Sequence, residues 1–112
     1  MTLKTGDAIR ASDGGKPEPR PGVVLRVHTI DGVEWAFIGF GSTKGPKPPP
    51  PTVRSVLVKR GDTGYLELRL DQPTYFKSTH GGRIRTDDED VIVYGPCPDS
   101  LFVAIKDVFG LK

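Results

Sequence analysis

Residues 22–40 read GVVLRVHTIDGVEWAFIGF, and this stretch indicates the fold. Residues 22–30 are rich in β-branched side chains, which favour extended structure. Asp31 and Gly32 follow, and an Asp-Gly pair is typical of the tight turn of a β-hairpin because Gly tolerates the positive φ that such turns require. Residues 33–40 form a second apolar run. The stretch therefore predicts two antiparallel strands that are joined at Asp31 and Gly32.

Shorter segments on both sides of this hairpin also have the composition of strands. Their β-branched content, or their alternation of polar and apolar side chains, is typical of extended structure. These predicted strands are residues 4–11, 53–59, 65–71, 74–77 and 91–94.

Segments rich in Gly, Pro or charge separate the predicted strands. Residues 12–21 and 41–52 hold many of the prolines, which cannot donate to a sheet, and both are predicted to be loops. Gly81-Gly82 is predicted as a further loop. Residues 48–51 (PPPP) fit a basic surface loop or a ligand for a proline-binding domain. Residues 87–90 (DDED) are predicted to form a solvated acidic loop.

The last part of the chain is the one segment with helical spacing, because Leu101, Ile105 and Val108 recur on one helical face. Asp99 or Ser100 is predicted to cap the start of this helix, and Gly110 its end. Short strands with Gly and Pro turns, followed by one helix, predict a mainly β fold: a small barrel or sandwich closed by the helix. Residues 1–112 are predicted to form one domain, because this length suits a single core.

Composition narrows the classes of protein that this chain can represent. The sequence has no apolar run long enough for a transmembrane helix and no apolar segment of a secretory signal, so a cytoplasmic protein without membrane contact is expected. A single cysteine, Cys97, allows no intrachain disulfide, and no Cys/His cluster has the spacing of a zinc site. Neither His28 nor His80 fits a metal-binding spacing. We therefore predict neither a metal nor a cofactor.

Charge is compatible with a polyanionic partner. The chain has 16 basic and 14 acidic residues, a net charge of +2, and residues 87–90 account for a large share of the acids. The rest of the chain is therefore basic, which suits nucleic acid without requiring it.

Residues 65–71 (YLELRLD) alternate strictly between apolar and polar side chains. In a strand, this alternation would place Arg69 and Asp71 close together on one polar face. A carboxylate there can take a proton from a ribose 2′-OH, while a guanidinium offsets negative charge on the phosphorus. The same pattern also fits the solvent-facing side of an amphipathic strand, so the residues alone leave both interpretations open.

Four short motifs follow one another along the chain: Gly6-Asp7, residues 20–25 (RPGVVL), residues 38–43 (IGFGST) and residues 67–73 (ELRLDQP) with residues 81–84. In this order they resemble the MazF/PemK family of bacterial toxin endoribonucleases, with its Kid-like members. The last motif is similar to the Arg-x-Asp-Gln-Pro stretch of that family and is followed by a Gly-Gly-Arg-Ile segment. Together they span most of the chain.

The resemblance implies a fold, an activity and partners. The fold would be a small SH3-like twisted β-barrel with a C-terminal α-helix, assembled as a homodimer. The activity would be sequence-specific, metal-independent cleavage of single-stranded RNA, in which the 2′-OH attacks and a 2′,3′-cyclic phosphate is left. The protein would then be the toxin of a type II toxin–antitoxin system, and its protein partner would be an acidic antitoxin.

The resemblance also implies roles for individual residues. Asp71 would be the general base, and Arg69 would stabilise charge and protonate the leaving 5′-oxygen. Arg20 would hold the scissile phosphate, because the guanidinium stays charged and reaches phosphate oxygens in pairs. Ser42 or Thr43 would donate a hydrogen bond to the same phosphate. Further predicted RNA contacts are Glu18, Gln72, Lys77 and Tyr75, the last as a stacking partner for a base.

Two other functions remain open from the sequence. The same barrel could bind nucleic acid or a protein partner without cutting it. A small structural protein of a phage or mobile element is the other possibility.

Overall fold

The computed structural model describes residues 3–12, 18–43 and 54–111. Within these residues the chain forms one antiparallel sheet in the order β4-β5-β3-β2-β1-β6, followed by a single helix. The elements are β1 (Asp7–Ser12), β2 (Pro19–Ile30), β3 (Val33–Ser42), β4 (Ser55–Val58), β5 (Thr74–Arg85), β6 (Ile92–Pro96) and α1 (Asp99–Val108). The sheet curls into a half-barrel, so the predicted mainly β fold with a C-terminal helix is confirmed.

The central hairpin forms as its sequence predicts. Val27 pairs with Ala36 and Ile30 with Val33, so that β2 and β3 meet at the Asp31-Gly32 turn. Both turn residues have positive φ, 51° and 80°, as a type I′ turn requires. The two strands of the hairpin are the central pair of the six-stranded sheet.

Both proline-rich segments predicted as loops are partly strand. In the loop predicted over residues 41–52, Gly41 and Ser42 end β3. In the loop predicted over residues 12–21, β2 already begins at Pro19, where it pairs with Ser12, and Pro21 pairs with Arg10. Proline is accommodated here because β2 pairs with β3 only from Gly22 onward, which leaves Pro19 and Pro21 without a ladder on that side. Residues 13–17 and 44–53, which include the proline run, lie outside the described residues.

The strand predicted over residues 65–71 is wrong. Successive turns occupy this segment, with the N–H of Leu68 bonded to the carbonyl of Gly64 at 2.9 Å and that of Leu70 to Tyr65 at 3.1 Å. Leu66 is consequently 81% exposed, while Leu68 is buried. The alternating pattern therefore does not describe a sheet face, and Arg69 and Asp71 do not share one.

The loop predicted at Gly81-Gly82 is also wrong, because both glycines lie inside β5. Gly81 pairs with Gly39 and Gly82 with Ile38. A Cβ on Gly81 would lie 2.8 Å from Cζ of Phe37, so glycine here makes room for an aromatic ring rather than for a turn. Strand β5 is therefore much longer than predicted and runs on past the predicted residues 74–77.

The helix buries the side chains that its spacing predicts. Leu101, Ile105 and Val108 are buried against the sheet. Neither Asp99 nor Ser100 caps the start, since Pro98 occupies the N-cap position without a side-chain hydrogen bond, and proline suits this bend because its φ is fixed. Gly110 follows the end as predicted, with φ of 73° and its N–H bonded to the carbonyl of Asp107 at 3.0 Å.

Two groups of buried side chains hold the sheet together. The first, which includes Val23, Leu25 and Phe76, packs under the helix through Leu101 and Ile105. The second contains no helix residue, so the curl of the sheet itself encloses it. Its largest members are Ile9, Ile38 and Phe40.

Cys97 belongs to the first of these groups and is almost fully buried. Burial raises the pKa of its thiol to about 12, and the negative charges of Glu67 and Asp99 add to the rise. The thiolate, which is the reactive form, is therefore scarce at neutral pH.

The folded-state pKa of the Cys97 thiol is higher than its ordinary value. This thiol's contribution to folding stability is therefore complete below about pH 9 and is lost as the pH rises towards 12.

We expect iodoacetamide to alkylate Cys97 at least about 100-fold more slowly in the folded protein than in urea, because burial and the raised pKa both suppress attack by the thiolate. Timed alkylation followed by mass spectrometry measures the rate. Equal rates in the two states would contradict the buried position.

The acidic residues 87–90 are exposed, as predicted. Arg85 binds Asp87 through two hydrogen bonds of 3.0 Å, which lower the pKa of that carboxyl. This pair is exposed to solvent, lies at the turn between β5 and β6, and does not belong to the core.

Candidate functional site

One end of the sheet contains a polar cleft of about 520 Å³. It lies where β2 and β3 approach the start of β5. Most of the residues that the sequence analysis proposed for the site line it, and so do residues that it did not propose. The predicted residues that line the cleft are Glu18, Arg20, Ser42, Thr43, Asp71, Gln72 and Lys77.

Three strands bring these side chains together. Arg20 lies on β2 opposite Ala11 of β1, and Ser42 ends β3 opposite Tyr75 of β5. Lys77 lies on β5 opposite Ser55. The cleft is thus built mainly on the sheet, whose backbone hydrogen bonds fix these positions.

Gly41 allows β3 to lie close to β5 beside the cleft. A Cβ at this position would overlap Cγ2 of Thr74 and come within 3.2 Å of the Phe76 ring. The register between β3 and β5 also shifts between Gly39 and Gly41. The glycine therefore shapes the floor of the cleft through close approach.

The segment that carries Asp71 enters the cleft from the turns before β5. The hydroxyl of Thr74 donates to the carbonyl of Gln72 at 3.0 Å, which holds the bend that leads into the strand. Asp71 itself is exposed, so its carboxylate is open to a molecule in the cleft.

Arg20 gives the cleft its clearest electrostatic feature. Its Nη1 atom is buried and has no hydrogen-bond partner among the described residues. A buried donor without an acceptor is costly, and a charged one more so, which favours an anion that would accept its hydrogen bond. Arg10 and the buried Lys77 add positive charge, and Glu18 and Asp71 add negative charge. The cleft is therefore suited to an anionic ligand that contacts both the basic side chains and a carboxylate.

Arg69 and Tyr75 do not line the cleft. The guanidinium carbon of Arg69 lies 5.4 Å from the centroid of the Tyr94 ring, a cation–π arrangement, and its backbone has a positive φ of 55°. Tyr75 is half-buried on β5, opposite Leu57 and Ser42. The roles that the resemblance implies for these two residues stay predictions.

His80 and Arg10 line the cleft, although the sequence analysis did not place them there. His80 was next to a predicted loop, and only the pairing of Gly81 with Gly39 shows that it lies in β5. Arg10 lies between buried Ile9 and Ala11 in β1, so the alternation of that strand was the signal that could have found it.

A second cleft of about 820 Å³ adjoins the first. Residues 60–67 of the turn segment and Pro98 line this second cleft, and its lining is more apolar than that of the first. Leu70 and Asp71 line both clefts. Asp71 therefore stands at the boundary between a polar cleft and a more apolar one.

No protein-family model matches this chain, and no curated protein matches it either. The resemblance to the MazF/PemK family accordingly stays a prediction from the motifs. Across the described residues, no three His, Cys, Asp or Glu side chains are grouped to hold a metal ion. No helix in the same parts of the chain is long and apolar enough to cross a membrane.

Proposed function

We propose that this protein is a metal-independent endoribonuclease that cleaves single-stranded RNA in the cleft between Arg20 and Asp71. The observation that carries the proposal is that Arg20, whose buried Nη1 has no hydrogen-bond partner among the described residues, lines the same cleft as the exposed carboxylate of Asp71. Cleavage of a phosphodiester can use both groups. The guanidinium binds the anionic phosphate, and the carboxylate removes the proton from the attacking hydroxyl.

The proposed reaction begins at the ribose 2′-OH. The carboxylate of Asp71 takes its proton, O2′ attacks the phosphorus, and the P–O5′ bond breaks to leave a 2′,3′-cyclic phosphate and a 5′-hydroxyl. Arg20 and Lys77 offset the charge that builds up on the phosphoryl oxygens, and the hydroxyls of Ser42 and Thr43 are further donors at the same cleft.

Arg69 has no part in the proposed cleavage step. Its guanidinium would have to leave the Tyr94 ring to reach a phosphate in the cleft. Arg20 and Lys77 already supply positive charge there.

The partners that the resemblance implies belong to the same proposal. An acidic segment of an antitoxin is complementary to Arg10, Arg20 and Lys77 and would block RNA from the cleft. We expect the toxin to act as a homodimer, and sedimentation of the purified protein measures that directly.

The test is to incubate the purified protein with a diverse pool of single-stranded RNA in EDTA and to map the ends of the products. Cuts at a defined sequence that carry 2′,3′-cyclic phosphate support the proposal. If RNA binds but stays intact across the whole pool, the protein is a non-catalytic binding module. If RNA neither binds nor is cut, a structural role takes its place.

Replacing Arg20 with alanine is expected to weaken RNA binding and to reduce the slope of log K against log salt by about 0.7, the value for one phosphate contact on a single strand. Fluorescence anisotropy over a range of salt concentrations measures the slope. Arg26→Ala is the matched control, since Arg26 is exposed on the same strand and does not line the cleft. An unchanged slope in Arg20→Ala would remove this residue from the phosphate site.

A further inference from the structure

The proposed cleavage requires a second proton transfer, because the departing 5′-oxygen must be protonated as its bond to phosphorus breaks. We propose that His80 is the catalytic acid that supplies this proton. The inference rests on the proposed function and assigns a residue of the same cleft that the resemblance did not point to. Imidazole is the side chain best suited to exchanging a proton near neutral pH.

Position is the first support for this role. His80 lines the same cleft as Asp71 and Arg20, and it directly precedes Gly81, whose pairing with Gly39 of β3 fixes the backbone on that side. An acid and a base that flank one phosphate can act on the leaving and the attacking oxygen respectively.

The contact of the imidazole with its neighbour is the second support. Nδ1 of His80 lies 3.0 Å from the hydroxyl oxygen of Thr79. In the charged imidazolium, Nδ1–H donates to that oxygen, and Nε2–H is the proton that the proposed step transfers. After the transfer, the neutral ring keeps its proton on Nδ1, so the bond to Thr79 persists through the reaction and orients the ring.

Atoms and charges balance in this step. The O2′–P bond forms as the P–O5′ bond breaks, the proton of the 2′-OH moves to the carboxylate of Asp71, and Nε2–H of His80 moves to O5′. The enzyme is left with a protonated Asp71 and a neutral His80, and exchange with water restores both groups.

Charged groups from several elements line the same cleft as this imidazole. The groups are Arg10 of β1, Arg20 of β2, Glu18 just before β2, Lys77 of β5, and Asp71.

A modified substrate separates protonation of the leaving group from every other role of the residue. In an RNA whose mapped cleavage site carries a bridging 5′-sulfur, the leaving thiolate needs no proton. We expect His80→Gln to cleave the ordinary RNA at least about 100-fold more slowly than the wild type and to cleave the sulfur RNA within a few-fold of it. We also expect the variant to lose the alkaline limb of the pH profile of kcat/KM.

Matched variants complete the experiment. His28→Gln changes the other histidine, which does not line the cleft, and is expected to cleave both substrates as the wild type does. Asp71→Asn should be slow on both, because the sulfur substrate still needs a base. Circular dichroism and RNA affinity check that His80→Gln is folded.

The outcomes distinguish a failure of the role of His80 from a failure of the proposed function. Wild-type rates in His80→Gln on ordinary RNA, or equal losses on both substrates, would overturn the role of His80 and leave the endoribonuclease proposal standing. A wild-type protein that cuts neither substrate overturns the proposed function itself.

Discussion

Replacing Asp71 with asparagine is expected to slow RNA cleavage by about 10³-fold and to leave RNA binding unchanged or slightly tighter. The amide has nearly the shape of the carboxylate but cannot take the proton of the 2′-OH, and losses of 10²–10⁴-fold are usual when a general base is removed. We expect binding to be retained because the proposed phosphate contact is Arg20, which also lines the cleft, and because the variant removes a negative charge that would repel RNA.

Single-turnover cleavage and anisotropy binding, measured on the same RNA, separate the two effects. Asp90→Asn makes the same chemical change at an exposed position outside the cleft and should cleave as the wild type does. If Asp71→Asn cuts at the wild-type rate, Asp71 is not the base.

Replacing Gly64 with alanine is expected to destabilise the fold by about 3 kcal/mol. Gly64 has φ of +94°, a conformation that costs an L-residue about 1–2 kcal/mol. The added Cβ would also overlap Cδ2 of Leu101, a buried residue of the helix, and overpacking of this kind costs about 1–3 kcal/mol.

Gly61→Ala isolates the packing part of this effect. Gly61 has φ of +93°, almost the same as Gly64, but a Cβ there meets nothing within 4 Å. Urea unfolding of the two variants measures both free energies, and we expect Gly61→Ala to lose only about 1 kcal/mol. Equal losses in the two variants would show that the turn segment does not pack on the helix as described.

The parts of the fold that were predicted correctly are those with local causes. Asp31-Gly32 specifies its own turn, and the spacing of Leu101, Ile105 and Val108 specifies a helical face whatever lies beneath it. In both cases the residues that decide the structure lie within one short segment, so a single sequence was enough.

The errors arise where distant contacts decide. Residues 65–71 alternate as a strand would, yet Gly64 lies against Leu101 and the segment winds into turns instead. The Gly81-Gly82 pair is typical of a loop, but the ring of Phe37 occupies the space that a side chain on Gly81 would fill. Neither contact can be read from the neighbouring residues.

The candidate site divides in the same way. Arg20 and Asp71 came from motifs that resemble a known family, and the cleft contains both of them. His80 was missed because its position depends on β5 extending through two glycines, and Arg69 was placed beside Asp71 because its turn was taken for a strand.

Asp71 and Arg20 belong to parts of the molecule that are built differently. Arg20 lies in the hydrogen-bonded sheet, whereas Asp71 ends a run of turns that packs on the helix. Mutations in the turns can therefore alter or remove the carboxylate, while the sheet keeps Arg10, Arg20 and Lys77 at the cleft. Under the proposed function, losing this one carboxylate would convert a protein that cuts a polyanion into one that only binds it, and regaining the carboxylate would restore cutting.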